Sequence, residues 1–151
     1  MDRRKQYVQY KSSNSSTKFI PCGVPQGSVL GTLLFIIYTN DLPNCLNYSK
    51  AILFADDTTV YLSSADIFYL YITVNRDLEN LVEWFRANKL SLNVGKTHLI
   101  VFKQSHMTIP IDLNIKIDNQ TIERKNAVKF LGIYIDSKLE WHDHIKYINN
   151  K

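Results

Sequence analysis

Ala51-Ile52-Leu53-Phe54-Ala55-Asp56-Asp57-Thr58-Thr59-Val60-Tyr61-Leu62 is the stretch on which the fold turns. Two strand-forming runs, 51–55 and 58–62, are separated by Asp56-Asp57 alone. A two-residue interruption between such runs is the signature of a β-hairpin, and it sets both carboxylates at the tip. Flanked by apolar strands, the two charges sit at the edge of a low-dielectric region, where their repulsion is costly unless something positive compensates. A divalent cation that prefers oxygen is the natural partner, because Mg²⁺ commonly takes one or two carboxylates plus substrate phosphates. Aspartate is also an ordinary turn residue, so the pair by itself is also what a solvated turn carries.

Upstream, Gly23-Val24-Pro25-Gln26-Gly27-Ser28 breaks regular structure, and Ser28 stands at an N-cap position before the apolar run 29–38. That run predicts a buried helix of about four turns, ending near Asn40-Asp41-Leu42-Pro43. Glycines ahead of a helix let backbone approach a ligand, and the helix N-terminus favours an anionic or polar group. Further upstream, 6–11 and 17–22 read as two strands joined by the loop Ser12-Ser13-Asn14-Ser15-Ser16.

Downstream of the paired acids the period changes. Ile67, Tyr71, Val74, Leu78, Leu81 and Phe85 recur at alternating spacings of three and four, predicting an amphipathic helix capped near Ser64 and running to about Asn88. Residues 98–102 read as a buried strand, 111–118 as a half-exposed antiparallel strand, and 121–124 and 128–134 as two more; a last helix begins near Trp141. The whole predicts an α+β fold, an antiparallel sheet with helices packed on one face.

The chain has 151 residues, 45% hydrophobic and 21% charged, with five glycines and four prolines, a composition that excludes disordered and fibrous classes. Cys22 and Cys45 are too few for a disulfide scaffold, and no metal-ligand spacing surrounds either. The longest apolar stretch, 29–38, is about half of what a bilayer crossing needs, and the polar opening Met1-Asp2-Arg3-Arg4-Lys5 is no signal peptide. The expected location is intracellular, nucleus or cytoplasm, not secreted and without a membrane partner. Arg3, Arg4, Lys5, Lys11 and Lys18 against Asp2 place the entire net charge of +4 within residues 1–18. With Tyr7 and Tyr10 interleaved, that segment could lie along a phosphate backbone, although a solvated hairpin has the same composition.

Taken together and in order, these features resemble the reverse transcriptases of non-LTR (LINE-type) retrotransposons. Gly23-Val24-Pro25-Gln26-Gly27-Ser28-Val29-Leu30-Gly31, continuing through Leu33-Leu34-Phe35 to Asn40-Asp41-Leu42-Pro43, resembles motif B. Phe54-Ala55-Asp56-Asp57-Thr58 resembles motif C, Ser91-Leu92-Asn93 with Lys96-Thr97 motif D, and Lys129-Phe130-Leu131-Gly132 motif E, the primer grip. Leu139-Glu140-Trp141 with His144-Ile145 is similar to the stretch leading into the thumb. The resemblance implies the C-terminal half of a polymerase palm. A basic segment (1–18) would be followed by palm (19–104), a β-rich primer-grip region (105–137) and the start of a thumb (138–151).

It further implies that Asp56 and Asp57 ligate the catalytic metals, two Mg²⁺ ions with Mn²⁺ as a substitute, which activate the primer 3′ hydroxyl and stabilise the leaving pyrophosphate. Gly23, Pro25, Gln26, Gly27 and Ser28 would line the pocket for nucleotide and template base. Lys96 would lie near the triphosphate, and Phe130, Leu131 and Gly132 would form a hairpin that positions the primer end. RNA template, DNA primer, dNTP and the N-terminal part of the same polymerase are the implied partners. Thr32 stands where the family usually has proline, and Phe54 where tyrosine is commoner.

The motif A aspartate has no counterpart here, because Asp2 is the only acid before Asp41 and it sits among Arg3, Arg4 and Lys5. The chain is therefore expected to be inactive by itself; a non-catalytic nucleic-acid-binding remnant or a pseudogene product is the alternative. Three other signals carry nothing. Gly95-Lys96-Thr97 lacks the P-loop glycine, since position 90 is leucine. His142-Asp143-His144 has no further ligands at metal spacing, and the sequons at Asn14, Asn47 and Asn119 need a secreted chain.

Overall fold

The computed structural model describes residues 4–20, 27–103, 107–108 and 114–150. They form two compact units, Met1–Asn40 and Asp41–Lys151.

The first unit opens with a nested hairpin. β1 (Arg4–Gln6) pairs antiparallel with β4 (Lys18–Ile20), and β2 (Gln9–Tyr10) with β3 (Ser13–Asn14). The expected five-residue loop is thus much tighter, because Ser13 and Asn14 join the ladder and only Lys11-Ser12 turns. Positions 21 and 22 of the second expected strand lie outside the described residues. The unit ends in α1 (Val29–Thr39), capped by Ser28, whose hydroxyl accepts the Gly31 N–H at 2.9 Å. The cap is as the sequence indicates, whereas the length and burial are not. Eleven residues make about three turns, and Val29, Leu30, Leu33, Ile36, Ile37 and Tyr38 are exposed. A helix apolar all round finds cover for only part of its surface.

In the second unit Leu42–Cys45 forms a short 3₁₀ turn with proline in its first turn. β5 (Lys50–Phe54) and β6 (Asp57–Tyr61) then pair antiparallel, and α2 (Ile67–Ala87) follows. Asp66, not Ser64, caps α2: its carboxylate accepts the N–H groups of Phe68 (2.8 Å) and Tyr69 (3.2 Å), while the Ser64 hydroxyl accepts that of Asp66. A charged acceptor at the positive end of the helix macrodipole outcompetes a hydroxyl.

The remaining strands are short. β7 (His98–Leu99) keeps only the first two residues of the expected run 98–102, and it pairs parallel with β10 (Glu123–Arg124). β8 (Lys116–Ile117) and β9 (Gln120–Thr121) close a hairpin over Asp118-Asn119, both with positive φ. Positions 111–113 of the alternating run lie outside the described residues, but Ile115 and Ile117 are buried, as the alternation requires. The run 128–134, continuous by composition, is instead folded back on itself as β11 (Ala127–Phe130) and β12 (Ile133–Asp136) around Leu131-Gly132. α3 (His142–Asn149) packs on β12.

Leu42, Leu78, Leu81, Val82, Ile115, Ile117 and Ile122 form the core, so α2 is clasped between the 3₁₀ turn and the 115–122 hairpin. The fold is α+β, but among the described residues the strands make six two-stranded ladders rather than one sheet. Alternation fixes which side chains point inward; it does not choose lateral neighbours, and these ladders are mostly closed by turns of two residues.

Candidate functional site

The register of β5 with β6 places the acids one step from where composition puts them. Phe54 pairs with Asp57, so the two-residue tip is Ala55-Asp56 and Asp57 is the first residue of β6. Ala55 has φ 51°, the left-handed region in which a Cβ costs roughly 1–2 kcal/mol. Strain of that kind is held in place by the strands on either side and recurs at functional sites. Both carboxylates are exposed, and among the described residues no hydrogen bond or ion pair engages either one. Two adjacent solvent-facing carboxylates fit one part of the shell of a hard, oxygen-seeking cation and leave its other positions to further donors. Among the described residues no group of three or more His, Cys, Asp or Glu side chains gathers that could complete it.

Of the nucleotide-side residues, Gly23, Pro25 and Gln26 lie outside the described residues, and Gly27 and Ser28 belong to the first unit. Gly27 has φ 80° and turns the chain into the Ser28 cap of α1. Lys96 ends a 3₁₀ turn, Val94–Lys96, capped by Asn93, whose side chain accepts the Lys96 N–H at 3.2 Å. Its ammonium is exposed and pairs with neither Asp56 nor Asp57. Phe130 ends β11, and Leu131 (φ 46°) and Gly132 (φ 88°) form the tip of the β11–β12 hairpin.

α3 braces that hairpin. Lys129 Nζ lies 4.8 Å from the Tyr147 ring centre and 3.3 Å from its hydroxyl; the Tyr134 and Tyr147 rings are 5.1 Å apart. The Tyr134 N–H donates to His144 Nδ1 at 3.4 Å.

Two structural acids went unnoticed in the sequence. Asp77 on α2 is fully buried at 0% exposure and accepts the backbone N–H groups of Asn47 (2.8 Å), Tyr48 (3.0 Å) and Ser49 (2.6 Å). It thereby ties to the core the segment that leads directly into β5. Burial alone would raise its carboxyl, but the N–H donors of Asn47, Ser49 and Tyr48 outweigh burial and hold it below the usual aspartate range. The signal was available: Asp77 falls on the apolar face of α2, between Val74 and Leu81, where an acid needs a built set of donors. Asp136, at the end of β12, accepts N–H from Glu140 (3.0 Å), Trp141 (2.8 Å) and Lys138 (3.0 Å). The Glu140 donor, with Trp141 and Lys138 behind it, holds its carboxyl low and shapes the turn into α3.

No helix among the described residues is long and apolar enough to cross a membrane. The chain resembles several polymerases of mobile elements. It is 29% identical to the probable RNA-directed DNA polymerase from transposon X-element of Drosophila melanogaster, matching 100% of this chain and 17% of that protein. It is 32% identical to the RNA-directed DNA polymerase from mobile element jockey of Drosophila funebris, over 94% of this chain and 16% of the relative. A Pol polyprotein from type-1 retrotransposable element R1 of Bradysia coprophila is 27% identical over 89% of this chain. The chain thus spans about one sixth of the length of the first two relatives. No solved structure matches it. Residues 2–135 match the family described as reverse transcriptase (RNA-dependent DNA polymerase), so the chain belongs to the reverse transcriptase family.

Proposed function

We propose that this chain is the C-terminal half of a polymerase palm, with a primer grip at 105–137 and the start of a thumb from 138, and that it serves RNA-templated DNA synthesis within a retrotransposon reverse transcriptase. The observation that carries the reading is the β5–β6 hairpin, which offers Asp56 and Asp57 side by side to solvent in a chain of this family.

Asp56 and Asp57 hold the divalent metal, two Mg²⁺ or Mn²⁺ in the complete enzyme, which when bound supplies the Lewis acid for in-line nucleotidyl transfer. The rigid two-stranded ladder fixes where the two carboxylates stand, which matters because an error of about 1 Å can cost 10²-fold in rate. Gly23, Pro25, Gln26, Gly27 and Ser28 contact template base and incoming dNTP, Ser28 by opening α1 toward them. Lys96, an exposed cation on a capped turn, counters charge on the triphosphate. Phe130, Leu131 and Gly132 hold the DNA primer end. That Leu131 is exposed and held at a φ unfavourable to leucine supports a role in contact rather than in packing.

Lacking a motif A carboxylate among its residues, the chain is inactive by itself and acts with the rest of the polymerase. The test replaces the matching segment of the jockey polymerase with residues 1–151 and follows primer extension on an RNA template with Mg²⁺. Extension by the hybrid, reduced at least 10³-fold by Asp56→Asn, is the expected result; extension unaffected by Asp56→Asn overturns the assignment. In the isolated chain, Mn²⁺ should broaden the amide signals of residues 55–58, and Asp56→Asn should remove that broadening.

A further inference from the structure

α3 is eight residues long, and it opens at Trp141 with φ 64° and no side-chain cap. A helix shorter than about 12 residues is marginal in water by itself, so its order depends on what it packs against. Its apolar side chains Ile145 and Ile148 are 53% and 56% exposed and add little to that packing. What seats the helix is its other face, where His144 and Tyr147 meet β11 and β12. There Tyr134 stands directly across the ladder from Lys129, on the second rung from the Leu131-Gly132 tip. Its backbone N–H donates to His144 Nδ1 at 3.4 Å. A backbone N–H can only donate, so Nδ1 must carry its lone pair, and the proton of the neutral ring sits on Nε2. Protonation fills Nδ1 and sets two N–H groups against each other.

The charges around the imidazole act in the same direction. From β11 the Lys129 ammonium lies 4.8 Å from the centre of the Tyr147 ring, on which the imidazole stacks at 6.5 Å. A second cation beside that ring is repelled by the first. Among the described residues no carboxylate forms an ion pair with His144. Asp136, at the end of β12, turns its oxygens to the N–H groups of Lys138, Glu140 and Trp141. Glu140 lies 3.6 Å from His142 Nδ1 instead. On α3 itself the neighbours Asp143 and Lys146 contribute opposite charges.

We propose that His144 is a proton-operated latch between α3 and the β11–β12 hairpin. Neutral, it seats α3 against β12 and steadies the hairpin; protonated, it lets the helix go. The seated imidazole must be neutral and the released one need not be, so acid favours release. Few contacts hold so short a helix, and losing one hydrogen bond while gaining one repulsion is enough to shift a local opening of this kind. In the complete enzyme the hold on the primer end would then loosen as pH falls. That consequence rests on the primer-grip reading above; the latch itself does not.

The test is hydrogen exchange of the full chain at about pH 8 and about pH 5.5, the interval in which imidazoles take up a proton. Rates are scored as protection factors, so that the intrinsic pH dependence of exchange drops out. Asp136 stays ionised throughout, because the Glu140 N–H, with Trp141 and Lys138 behind it, holds its carboxyl below the usual range. Protection at Tyr134 and across 142–149 should fall about tenfold at the lower pH, the loss of one hydrogen bond with a like charge added, while the amides of α2 keep theirs. His144→Asn sets an amide oxygen near the place of Nδ1 and accepts at either pH, so its protection should match the parent's at the higher pH and not fall. His142→Gln should respond to pH as the parent does. Equal or greater protection in the parent at the lower pH overturns the proposal, as does a fall that α2 shares. So does a His144→Asn chain whose protection still falls, or one unprotected at both pH values, which would mean that ring stacking rather than the acceptor seats α3. A His142→Gln chain that no longer responds would move the switch to His142 and overturn the proposal too. No metal, nucleotide or template enters these measurements, so failure here leaves the polymerase reading standing, and failure of that reading leaves the latch standing.

Discussion

Leu131 carries more information than its neighbours in the β11–β12 turn. Two-residue hairpins favour positive φ at both central positions, and Asn-Gly satisfies that at least cost. This chain keeps Gly132 but uses leucine before it, at φ 46° and 46% exposed. Leu131→Asn should therefore raise stability by about 1 kcal/mol in urea unfolding, while the same change in the jockey hybrid should lower primer extension. A loss of stability would show the leucine to be a packing residue. Asp77 makes the opposite case, a residue whose value is wholly structural. Its folded carboxyl is held below its unfolded value, so its contribution is full above about pH 4 and is lost as pH falls through the folded value. Asp77→Asn should cost about 3 kcal/mol at pH 7, because one amide oxygen cannot replace a carboxylate for three backbone donors. The two proteins should converge in stability below pH 4; a constant gap between pH 7 and pH 3 would contradict the assignment.

At the scale of elements, helices were legible and strand ends were not. The three- and four-residue spacing from Ile67 to Phe85 located α2 to within a turn, because a stripe of that length is hard to produce otherwise. Strand limits depend on where a turn closes, and one residue decides it: composition puts the tip at Asp56-Asp57, and the register puts it at Ala55-Asp56. Likewise 128–134 is uniformly strand-forming, and only Gly132 betrays the reversal; the motif resemblance, not the periodicity, identified that hairpin. The cap of α2 lies at Asp66, two residues beyond the expected Ser64, for the same local reason. Asp66→Ala should cost about 1 kcal/mol and speed amide exchange at Phe68 and Tyr69, whereas Ser64→Ala should leave those two amides unchanged.

At the scale of the whole molecule, the α+β class and the family were legible because hydrophobic period and motif order are properties of the chain alone. The burial of α1 was not, since it depends on what surrounds the helix. An all-round apolar helix implies cover, and here Val29 is 90% exposed, with Leu33 and Ile37 open beside one another at helical spacing. Contiguous apolar surface of this kind attracts whatever apolar surface it meets. Among the described residues the outer edges of β5 and β6 pair with no further strand, which adds backbone donors and acceptors to the same tendency. The isolated chain should therefore self-associate and bind a hydrophobic dye, with sedimentation velocity showing species that grow with concentration. Leu33→Lys/Ile37→Lys should suppress both effects without loss of helix, because neither side chain belongs to the core built on α2. A chain that sediments as a monomer at high concentration and resists protease would mean that the exposed face of α1 is stable in water as it stands, and that the apolar pattern of 29–38 answers to some demand other than burial.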